Sequence, residues 1–313
     1  MPVRNEAPHL ERAVASILSQ EYPLPFDVCL AIAPSDDGTE AIAADIAERE
    51  PRVSAVPNPA GVTPAGLNAA IGATSGDVIV RVDGHAELSA GYIRRAVETM
   101  RRTGAVNVGG VQVARGETAF ERAVAAAMTS WMGTGGSRFH VGGLEGEVDT
   151  VYLGVFDRAA GAAVGWFDES LIRNQDYELN IRLRQAGGTV WFDPHLSVSY
   201  RPRASVRTLA KQYFEYGYWK AEVLHRSPAT ARLRQLLPAA LIVVLAASVV
   251  ATLSRRRWLI IPGGYAIAVG VGAGVEARRT PTSAGRLASV LATQHLAWGA
   301  GFWRRVLRLR PPL

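Results

Sequence analysis

The sequence predicts an α/β fold, with a mixed, mainly parallel sheet flanked by helices, followed by a helical C-terminal region that associates with a membrane. Between residues 9 and 83, short apolar segments alternate with stretches of helical periodicity, as in βαβ units. Hydrophobic residues make up 48% of the 313 residues and charged residues 20%, a balance that excludes a disordered or low-complexity chain. Two uncharged runs near the C-terminus are long enough to cross a bilayer.

The α/β prediction depends on the order of elements in the first 83 residues. A helix is predicted at 10–18, because apolar residues recur there at helical spacing. The elements that follow are predicted as a strand at 27–33, a turn at 34–38, a helix at 39–50, a strand at 53–56, a helix at 64–73 and a strand at 77–82. Ligands of such sheets bind beyond the carboxyl ends of the strands, so polar residues that follow a strand are the first candidates for a site.

Charge is distributed unevenly along the chain. Residues 1–231 contain 22 Lys and Arg and 27 Asp and Glu, whereas residues 232–313 contain 12 Arg and one acid, for net charges of −5 and +11. A basic, apolar tail without a base-stacking or DNA-reading module favours anionic lipid and excludes nucleic acid as the expected partner. The single cysteine, Cys29, fits a reducing compartment, and no apolar signal segment opens the sequence. We therefore expect the catalytic domain on the cytoplasmic face of the cell membrane.

Two runs of 18 uncharged residues, 236–253 and 258–275, are predicted to be transmembrane helices, since each covers about 27 Å at 1.5 Å per residue. If both ends of this hairpin are cytoplasmic, the connecting arginines at 255–257 oppose the positive-inside tendency. Either the cytoplasmic charges outweigh this loop, or both runs enter one leaflet without crossing it. A buried hairpin in a soluble protein is the remaining alternative, and a further stretch at 287–303 is predicted to be interfacial.

Acidic side chains follow two of the predicted strands. Asp36 and Asp37 come after the strand at 27–33, and Asp83 and His85 come after the strand at 77–82. A carboxylate in such a position can hold a divalent cation that also binds a diphosphate, and imidazole is better tolerated by Mn²⁺ than by Mg²⁺. The ordinary alternative is a loop aspartate that caps the next helix.

A helix is predicted to begin near Asn174 and to end at Gly187, with Asp176 in its first turn. Acids in a first turn are stabilised by the helix dipole, which is the ordinary explanation for this position. The same position makes Asp176 available as a general base for a hydroxyl group. Further along, the aromatic segment 211–220 is expected either at a bilayer interface or in an amphipathic core helix.

Taken in order, these segments resemble the family 2 glycosyltransferases, and in particular the membrane-associated glucosyltransferases of succinoglycan biosynthesis. The resemblance covers residues 1 to about 225. Each matching segment is weak alone, but the ordered set is specific. The matching segments lie at 1–6, 16–20, 35–39, 58–68, 81–85, 148–150, 165–169, 174–180 and 212–219.

The resemblance implies a GT-A fold, a nucleotide-sugar donor with UDP-sugars favoured, and Mg²⁺ or Mn²⁺ as cofactor. It implies Asp83 and His85 as metal ligands and Asp176 as the catalytic base. The family pattern also implies a set of residues that bind the nucleotide-sugar donor. Asp37 is expected to contact the nucleobase, with Asp36 beside it. The other implied donor-binding residues are Pro2, Asn5 and Glu6 on the nucleoside side, and Gly61, Asn68 and Asp83. The residues implied on the acceptor side are Gln175, Gln212 and Trp219.

The sequence departs from the family pattern in three places. An apolar strand normally precedes the segment that begins here at Met1, so either the first strand is missing or the start of the chain has been placed too far downstream. Loss of that strand would expose an edge of the central sheet. His85 stands where the family commonly has an acid, and Gln175 replaces the first acid of a Glu-Asp pair. Because the segment 212–216 also lacks the Gln-x-x-Arg-Trp pattern of processive synthases, processive polymerisation is not expected.

The sequence therefore predicts three regions: a GT-A domain at 1–204, an interface helix at 205–231 and a membrane region with a basic tail at 232–313. The predicted reaction is the inverting transfer of one sugar to a polyprenyl-linked or glycolipid acceptor, in polysaccharide or glycolipid biosynthesis. Two alternatives are a catalytically impaired, membrane-tethered protein that binds sugar nucleotides, and a sugar nucleotidyltransferase. The transferase prediction requires Asp83 and Asp176 to face a shared crevice.

Overall fold

The computed structural model describes residues 1–308, so residues 309–313 of the predicted basic tail lie outside the described part. The chain divides into two compact units. The first comprises Met1–Val113 and Gly142–Tyr200, and the second comprises Ala114–Val141 and the chain from Arg201 onward. Residues 114–141, which lie inside the predicted domain 1–204, thus belong to the second unit. Helical periodicity marks such a segment as a helix but does not identify the element on which it packs.

The described strands lie in the first unit, except that Ala114, the last residue of β6, is the first residue of the second unit. In chain order they are β1 Pro2–Val3, β2 Val28–Ile32, β3 Val53–Pro57, β4 Val78–Val80, β5 Glu87–Leu88, β6 Asn107–Ala114, β7 Gly146–Glu147, β8 Tyr152–Asp157 and β9 Val190–Tyr200.

The helices occur in both units. In chain order they are α1 Leu10–Leu18, α2 Thr39–Arg49, α3 Thr63–Gly72, α4 Tyr92–Thr103, α5 Ala119–Thr129, α6 Trp131–Thr134, α7 Arg138–Val141, α8 Arg158–Val164, α9 Gln175–Gln185, α10 Val206–Arg226, α11 Leu233–Ala251, α12 Ile260–Ala277 and α13 Ala284–Val306.

The strands form two sheets. The first has the order β1-β2-β3, and both of its pairs are parallel. The second has the order β4-β8-β6-β9-β5, with β7 also on β9. Its pairs β4–β8, β6–β8, β5–β9 and β7–β9 are antiparallel. The predicted α/β class with mixed sheets and flanking helices is confirmed. The expected predominance of parallel strands holds only for the first sheet, whose pairs β1–β2 and β2–β3 come from the first 57 residues, where strands and helices alternate. In the second sheet the four pairs named above are antiparallel; apolar segments alone do not determine the direction in which strands pair.

Local sequence explains the elements that carry the site. Helix α1 buries the apolar stripe Leu10, Ala13, Val14 and Ile17, which is the spacing of one helical face. Strand β2 is apolar along its length and almost wholly buried, as expected for a parallel strand covered on both faces. The polar turn at 34–38 begins where β2 ends, and the segment 81–85 begins where β4 ends.

A cavity of about 740 Å³ lies within the first unit. Its wall includes apolar side chains of β2 and β4, among them Val28 and Val80, and Ile93 and Met100 from α4. Met1 also lines it, and the amino group of Met1 donates a hydrogen bond of 2.8 Å to the Cys29 carbonyl oxygen. Burial lowers the pKa of this amino group to about 6. Side chains of both sheets line this cavity, since it includes residues of β2 and of β4, and these two strands are not paired with each other.

The second unit is built around the long helices α10 and α13, which are in close contact at small residues. A Cβ atom on Gly217 of α10 would collide with the carbonyl oxygen of Trp298, and one on Gly301 of α13 would collide with that of Phe214. Only glycine allows the two backbones to approach this closely. Glu222 of α10 pairs with both Arg226 and Arg305, so this apolar contact also contains a satisfied ionic group.

Helices α11 and α12 have the length and composition of membrane spans. The candidate spans are Leu233–Ala251 and Arg256–Ala277, and only 17% and 11% of their apolar windows are buried. Ile267 near the centre of α12 is 68% exposed. Helices in the core of a soluble protein are buried, so these two exposed apolar surfaces favour lipid as their surroundings. The predicted interfacial stretch 287–303 lies in α13, which is not among the candidate spans of residues 1–308.

Candidate active site

The segment after β1 and the turn after β2 are held together by hydrogen bonds at the carboxyl ends of the two strands. The backbone N–H of Asn5 donates to Ser35 Oγ, and the Asn5 side-chain oxygen accepts from the backbone N–H of Asp36, both at 3.1 Å. Asn5 has a left-handed backbone with a φ of 54°, a conformation that asparagine tolerates better than most residues. Pro2 lies in β1 opposite Ala31. Asn5 thus connects the segment after β1 to the turn after β2, whereas Pro2 belongs to the strand.

The carboxylate of Asp37 organises this loop. Its Oδ1 accepts from both the backbone N–H and the hydroxyl of Thr39, at 3.1 and 2.5 Å, and its Oδ2 accepts from the backbone N–H of Ala7 at 3.1 Å. The hydrogen bond from the Thr39 hydroxyl lowers the pKa of Asp37 below its usual value, with smaller contributions from the two backbone donors. Asp36 beside it is exposed. Asp37 therefore stabilises the conformation of this loop, in addition to its predicted contact with the nucleobase of the donor.

Gly61 and Asn68 are each tied to another segment of the first unit. The Gly61 carbonyl oxygen accepts from the Arg4 guanidinium at 3.1 Å. The Asn68 side-chain amide donates to the Phe167 carbonyl oxygen and to Glu169, at 2.8 and 2.9 Å, and its oxygen accepts from the Phe167 backbone N–H at 3.1 Å. Asn68 therefore anchors the loop before α9 to α3. Its contact with the nucleotide-sugar donor remains a prediction.

Asp83 follows β4 and is paired with Arg81. Two N–H groups of the Arg81 guanidinium converge on Asp83 Oδ1, at 3.1 and 3.2 Å. Burial favours the neutral carboxyl, but the charges of Arg81 and His85 and the hydrogen bond from Arg81 outweigh it and lower the pKa of Asp83. Asp83 is thus held ionised, with one oxygen fixed by Arg81.

His85 is oriented by Glu6, which lies 79 positions earlier in the chain. Its Nδ1 lies 2.7 Å from a carboxylate oxygen of Glu6. Gly84 makes this pair possible, because a Cβ atom on residue 84 would lie 2.7 Å from Glu6 Cγ. The ring of Tyr200 lies 6.1 Å from the imidazole, centroid to centroid. A histidine that turns one ring nitrogen toward a carboxylate has the orientation that metal-ligating histidines adopt.

The charges of Asp83 and Asp176 both affect the buried side chain of Arg81. Its side chain is only 7% exposed, and burial alone would favour the neutral guanidine. The charges of Asp83 and then of Asp176 outweigh this effect and raise the pKa of Arg81 above its usual value. One guanidinium nitrogen, Nη1, has no hydrogen-bond partner within residues 1–308. Both predicted functional acids therefore act on the same buried cation.

Asp176 lies at the start of α9. The residue before this helix, Asn174, has a φ of 59°, so the chain turns sharply into the first helical turn. Asp176 is partly buried, and its Oδ1 accepts from the adjacent backbone N–H of Tyr177 at 2.8 Å. Gln175 beside it is 6% exposed. The rigid first turn of α9 thus fixes the position of the Asp176 carboxylate.

The other predicted acceptor-side residues, Gln212 and Trp219, lie on α10 in the second unit. Gln212 is buried and donates to the Tyr216 hydroxyl at 2.9 Å. Trp219 is buried, and its ring meets that of Tyr218 edge to face at 5.4 Å. Both contacts belong to the packing of the helical unit, which favours the amphipathic core helix over the bilayer interface for this face of the aromatic segment.

The side chains near Asp83 fit a cation that is completed by a ligand. Within residues 1–308, no three His, Cys, Asp or Glu side chains are grouped so that they could hold a metal ion by themselves. Magnesium sites of this kind use one or two protein carboxylates and take the remaining oxygens from substrate phosphates and water. Asp83 Oδ2 and an imidazole nitrogen of His85 provide two atoms that can ligate a metal ion. Asp83 and His85 therefore suit a cation that binds together with a diphosphate.

Sequence reasoning overlooked Arg81 as a residue of this site. The available signal was an arginine directly after three apolar strand residues, since such a charge is buried only when it is paired. Tyr152 is a second overlooked side chain, because burial raises its pKa and the charge of Asp83 adds to the effect. No local pattern distinguishes Tyr152 from an ordinary strand residue.

Comparisons with known proteins agree on one family and one fold. The family model described as glycosyl transferase family 2 matches residues 1–166. The succinoglycan biosynthesis protein ExoA of Rhizobium meliloti is 35% identical over 318 residues, covering 99% of this chain and 94% of that protein. A dolichyl N-acetyl-α-D-glucosaminyl phosphate 3-β-D-2,3-diacetamido-2,3-dideoxy-β-D-glucuronosyltransferase of Methanococcus voltae is 23% identical over 235 residues, covering 72% of this chain and 73% of that protein.

Solved structures share the fold at low sequence identity. The mannosyltransferase PcManGT from Pyrobaculum calidifontis, in complex with GDP-Man and Mn²⁺, matches with a TM-score of 0.64 and 17% identity, covering 99% of this chain and 86% of that one. TarS 1-349 of S. aureus, in complex with UDP-GlcNAc, matches with a TM-score of 0.52 and 11% identity, covering 99% of this chain and 91% of that one. Both matches identify the GT-A fold.

Proposed function

Because the chain belongs to glycosyl transferase family 2, we propose that it is an inverting enzyme that transfers one hexose from a UDP-sugar to a lipid-linked acceptor. One observation carries this proposal: Asp83 is paired with the buried Arg81 at 3.1 Å, and Asp176, more than ninety positions later, is close enough for its charge to contribute to the raised pKa of the same guanidinium. A diphosphate-binding acid and a proton-accepting acid within electrostatic reach of each other are what a single displacement at a sugar carbon requires.

The proposed reaction is one in-line displacement. The acceptor hydroxyl oxygen bonds to the anomeric carbon, and its proton moves to a carboxylate oxygen of Asp176. The bond between the anomeric carbon and the diphosphate oxygen breaks, and the nucleoside diphosphate leaves with the electron pair. Attack from the face opposite the leaving group inverts the anomeric configuration. Helix α9 holds Asp176 at its first turn, so the base stays fixed while the acceptor binds.

Asp83 and His85 would hold Mg²⁺ or Mn²⁺ together with the donor diphosphate, and the cation would supply positive charge for the leaving group. This chain's own contribution is to keep Asp83 ionised through Arg81 and to orient His85 through Glu6. The loop built on Asn5 and Asp37 lies after β1 and β2, at the end of a parallel sheet where nucleotides bind in such folds.

The relatives support a nucleotide-sugar donor and a lipid-linked acceptor. PcManGT and TarS were solved with GDP-Man and UDP-GlcNAc, and the Methanococcus relative acts, by its name, on a dolichyl phosphate-linked sugar. We propose a place in polysaccharide biosynthesis because ExoA is similar over almost its whole length. An acceptor on a polyprenyl carrier would lie in the same leaflet as α11 and α12, on the cytoplasmic face, which would raise its local concentration.

A panel of nucleotide-sugars tests this proposal with the purified full chain. In the presence of Mn²⁺, one donor should raise the midpoint of thermal unfolding by about 5–10 °C at a concentration of about 100 Kd, through mass action. The same donor should be consumed, with release of nucleoside diphosphate, when extracted polyprenyl lipids are added. Binding without turnover would instead favour the sugar-nucleotide binding protein. Release of pyrophosphate when a nucleoside triphosphate and a sugar 1-phosphate are supplied in place of the nucleotide-sugar would favour the nucleotidyltransferase.

Membrane insertion of α12 can be tested with a charge at its centre. Replacing Ile267, which is 68% exposed, by arginine is expected to reduce carbonate-resistant membrane association strongly, since arginine in mid-bilayer costs about 2.5–3.5 kcal/mol. The matched control is Val275→Arg near the end of the same helix, where arginine reaches the headgroups and costs little. Equal extraction of the two variants would contradict insertion of α12 into the hydrocarbon.

A further inference from the structure

Helix α9 carries a second buried polar residue on the face that bears Asp176. Asn180 lies four positions after Asp176, so the two side chains are neighbours on one side of the helix. Asn180 is only 1% exposed, although asparagine is found mostly at protein surfaces. A buried amide needs hydrogen-bond partners, and the partners of Asn180 connect the helix of the proposed base to other elements of the first unit.

Two hydrogen bonds hold the Asn180 side chain. Its Oδ1 accepts from Asn107 Nδ2 at 2.6 Å, and its Nδ2 donates to Thr150 Oγ1 at 3.0 Å. Asn107 is the first residue of β6 and is fully buried, and Thr150 lies two residues before β8. The two bonds span 73 and 30 positions, and they tie one face of α9 to β6 and to the segment before β8.

Asn107 also lies close to Gly154 of β8, which binds the backbone of Arg81. A Cβ atom on residue 154 would lie 2.7 Å from Asn107 Oδ1. The Gly154 carbonyl oxygen accepts from the backbone N–H of Arg81 at 3.2 Å. Asn107 therefore links the helix of Asp176 to the strand residue that holds Arg81.

The Asn107 amide is costly for folding. Its Oδ1 has no hydrogen-bond partner within residues 1–308, and a buried acceptor without a partner lowers stability. Folding stability alone therefore favours an apolar side chain at this position. A directional bond that is present at such a cost points to a requirement for geometry.

Apolar packing does not supply this geometry. Leu179 and Leu183 of α9 pack in one apolar cluster that also contains Phe156. The free energy of apolar burial depends on area and not on direction, so this cluster restricts the rotation of α9 only weakly. Hydrogen bonds weaken steeply away from their preferred angles. The bonds of Asn107 and Thr150 therefore fix the rotation of α9 and the height of its first turn.

We propose that Asn180 is a positioning residue for Asp176 and acts through its bonds with Asn107 and Thr150. These bonds hold the face of α9 on which Asp176 lies, so that its carboxylate stays in place relative to Arg81. A displacement of about 1 Å at a reacting group can cost about 10²-fold in rate. The inference rests on the proposed function, because Asn180 acts only through the general base.

Replacing Asn180 by alanine tests this role in the purified full chain. The Asn107 amide loses its partner, so the midpoint of thermal unfolding should fall by about 4–8 °C. Turnover should fall by about 10- to 100-fold, while the Kd of the donor with Mn²⁺ stays within about twofold. The matched control is Ile46→Ala on α2, a buried position elsewhere in the core. It should lower the midpoint at least as much and leave turnover within about threefold.

A compensated variant separates positioning from stability. In Asn107→Ala with Asn180→Leu, both amides are gone and leucine fills the space that they leave, so most of the lost midpoint should return. Turnover should stay at least about tenfold below that of the original chain, because no directional bond holds α9. Return of turnover together with the midpoint would overturn the proposal, since the two amides would then serve folding alone. Turnover of Asn180→Ala that equals the Ile46→Ala control would overturn it as well.

A background without the base distinguishes this inference from the proposed function. If Asn180 acts through Asp176, Asn180→Ala should lower turnover by less than about twofold when Asp176→Asn is already present. A loss of about tenfold in that background would overturn the positioning role and leave Asp176 as the base. Full turnover in Asp176→Asn alone would overturn the base and this inference with it.

Amide exchange gives a measurement that does not depend on turnover. In a peptide covering 175–181, exchange should be at least about tenfold faster in the compensated variant than in the original chain, although their midpoints are similar. Equal exchange in the two proteins would mean that the amides do not hold the first turn of α9, and the proposal would fall.

Discussion

Replacing Asp176 by asparagine is expected to lower the turnover number by about 10²- to 10⁴-fold, the usual contribution of a positioned general base. Asparagine has nearly the same shape and can still accept the hydrogen bond from the Tyr177 backbone N–H, but its amide cannot take up the acceptor proton. Donor binding, measured by calorimetry with Mn²⁺, should stay within about twofold of the original chain, since the proton moves only in the chemical step.

Glu178→Gln is the matched control for this variant. Glu178 lies two residues further along α9 and is paired with Arg182 at 2.7 Å. Glutamine removes the same negative charge from the same helix and keeps a hydrogen-bond acceptor for Arg182. Its turnover should remain within about threefold of the original chain. A turnover number in Asp176→Asn that matches this control would remove Asp176 from the proposed mechanism.

Replacing Asp83 by asparagine should have two separable consequences. The buried Arg81 loses the counter-charge at 3.1 Å, so we expect the free energy of unfolding to fall by about 2 kcal/mol, less than for a fully buried pair because Asp83 is partly exposed. The midpoint should therefore fall by about 4–8 °C. Thermal stabilisation by nucleotide-sugar with Mn²⁺ should also disappear, because the variant lacks the carboxylate that would bind the cation.

A double variant separates these consequences. In Arg81→Met with Asp83→Asn, no buried cation is left without its partner, and part of the lost stability should return. The Mn²⁺-dependent stabilisation by donor should not return. Asp77→Asn, at an exposed position immediately before β4, is the matched control and should leave the midpoint and donor response unchanged. If nucleotide-sugar with Mn²⁺ still raised the midpoint of thermal unfolding in Asp83→Asn, Asp83 would be excluded as a cation ligand.

The site combines residues that serve the chemistry with residues that serve the loop. Asp37 is expected on the base, yet both of its oxygens already bind Thr39 and Ala7. Asn68 is expected on the donor, yet its amide holds Phe167 and Glu169. Since each of these side chains connects segments distant in sequence, substitutions there will alter loop geometry together with any contact to donor. At Asp83 and Asp176, effects on folding stability can be measured separately from effects on donor binding and turnover.

Local sequence patterns predict the individual helices and strands and the chemical type of the site. Helical spacing placed α1, an apolar run placed β2, and acids after strands marked Asp36, Asp37 and Asp83. These features depend on neighbours in the chain, because backbone propensity and the periodicity of burial are set within one or two turns. The ordered set of family segments added the GT-A fold, which the fold comparison confirms.

Which of these groups come into contact depends on the packing of elements that are distant in sequence. The contact of His85 with Glu6 spans 79 positions, and Arg81 comes under the charges of Asp83 and Asp176 only after β4 and α9 have packed in the first unit. The cavity of about 740 Å³ likewise has lining residues from β2 and from β4, which belong to different sheets. Such contacts depend on strand pairing and helix packing over long separations, where a local pattern does not identify the partner.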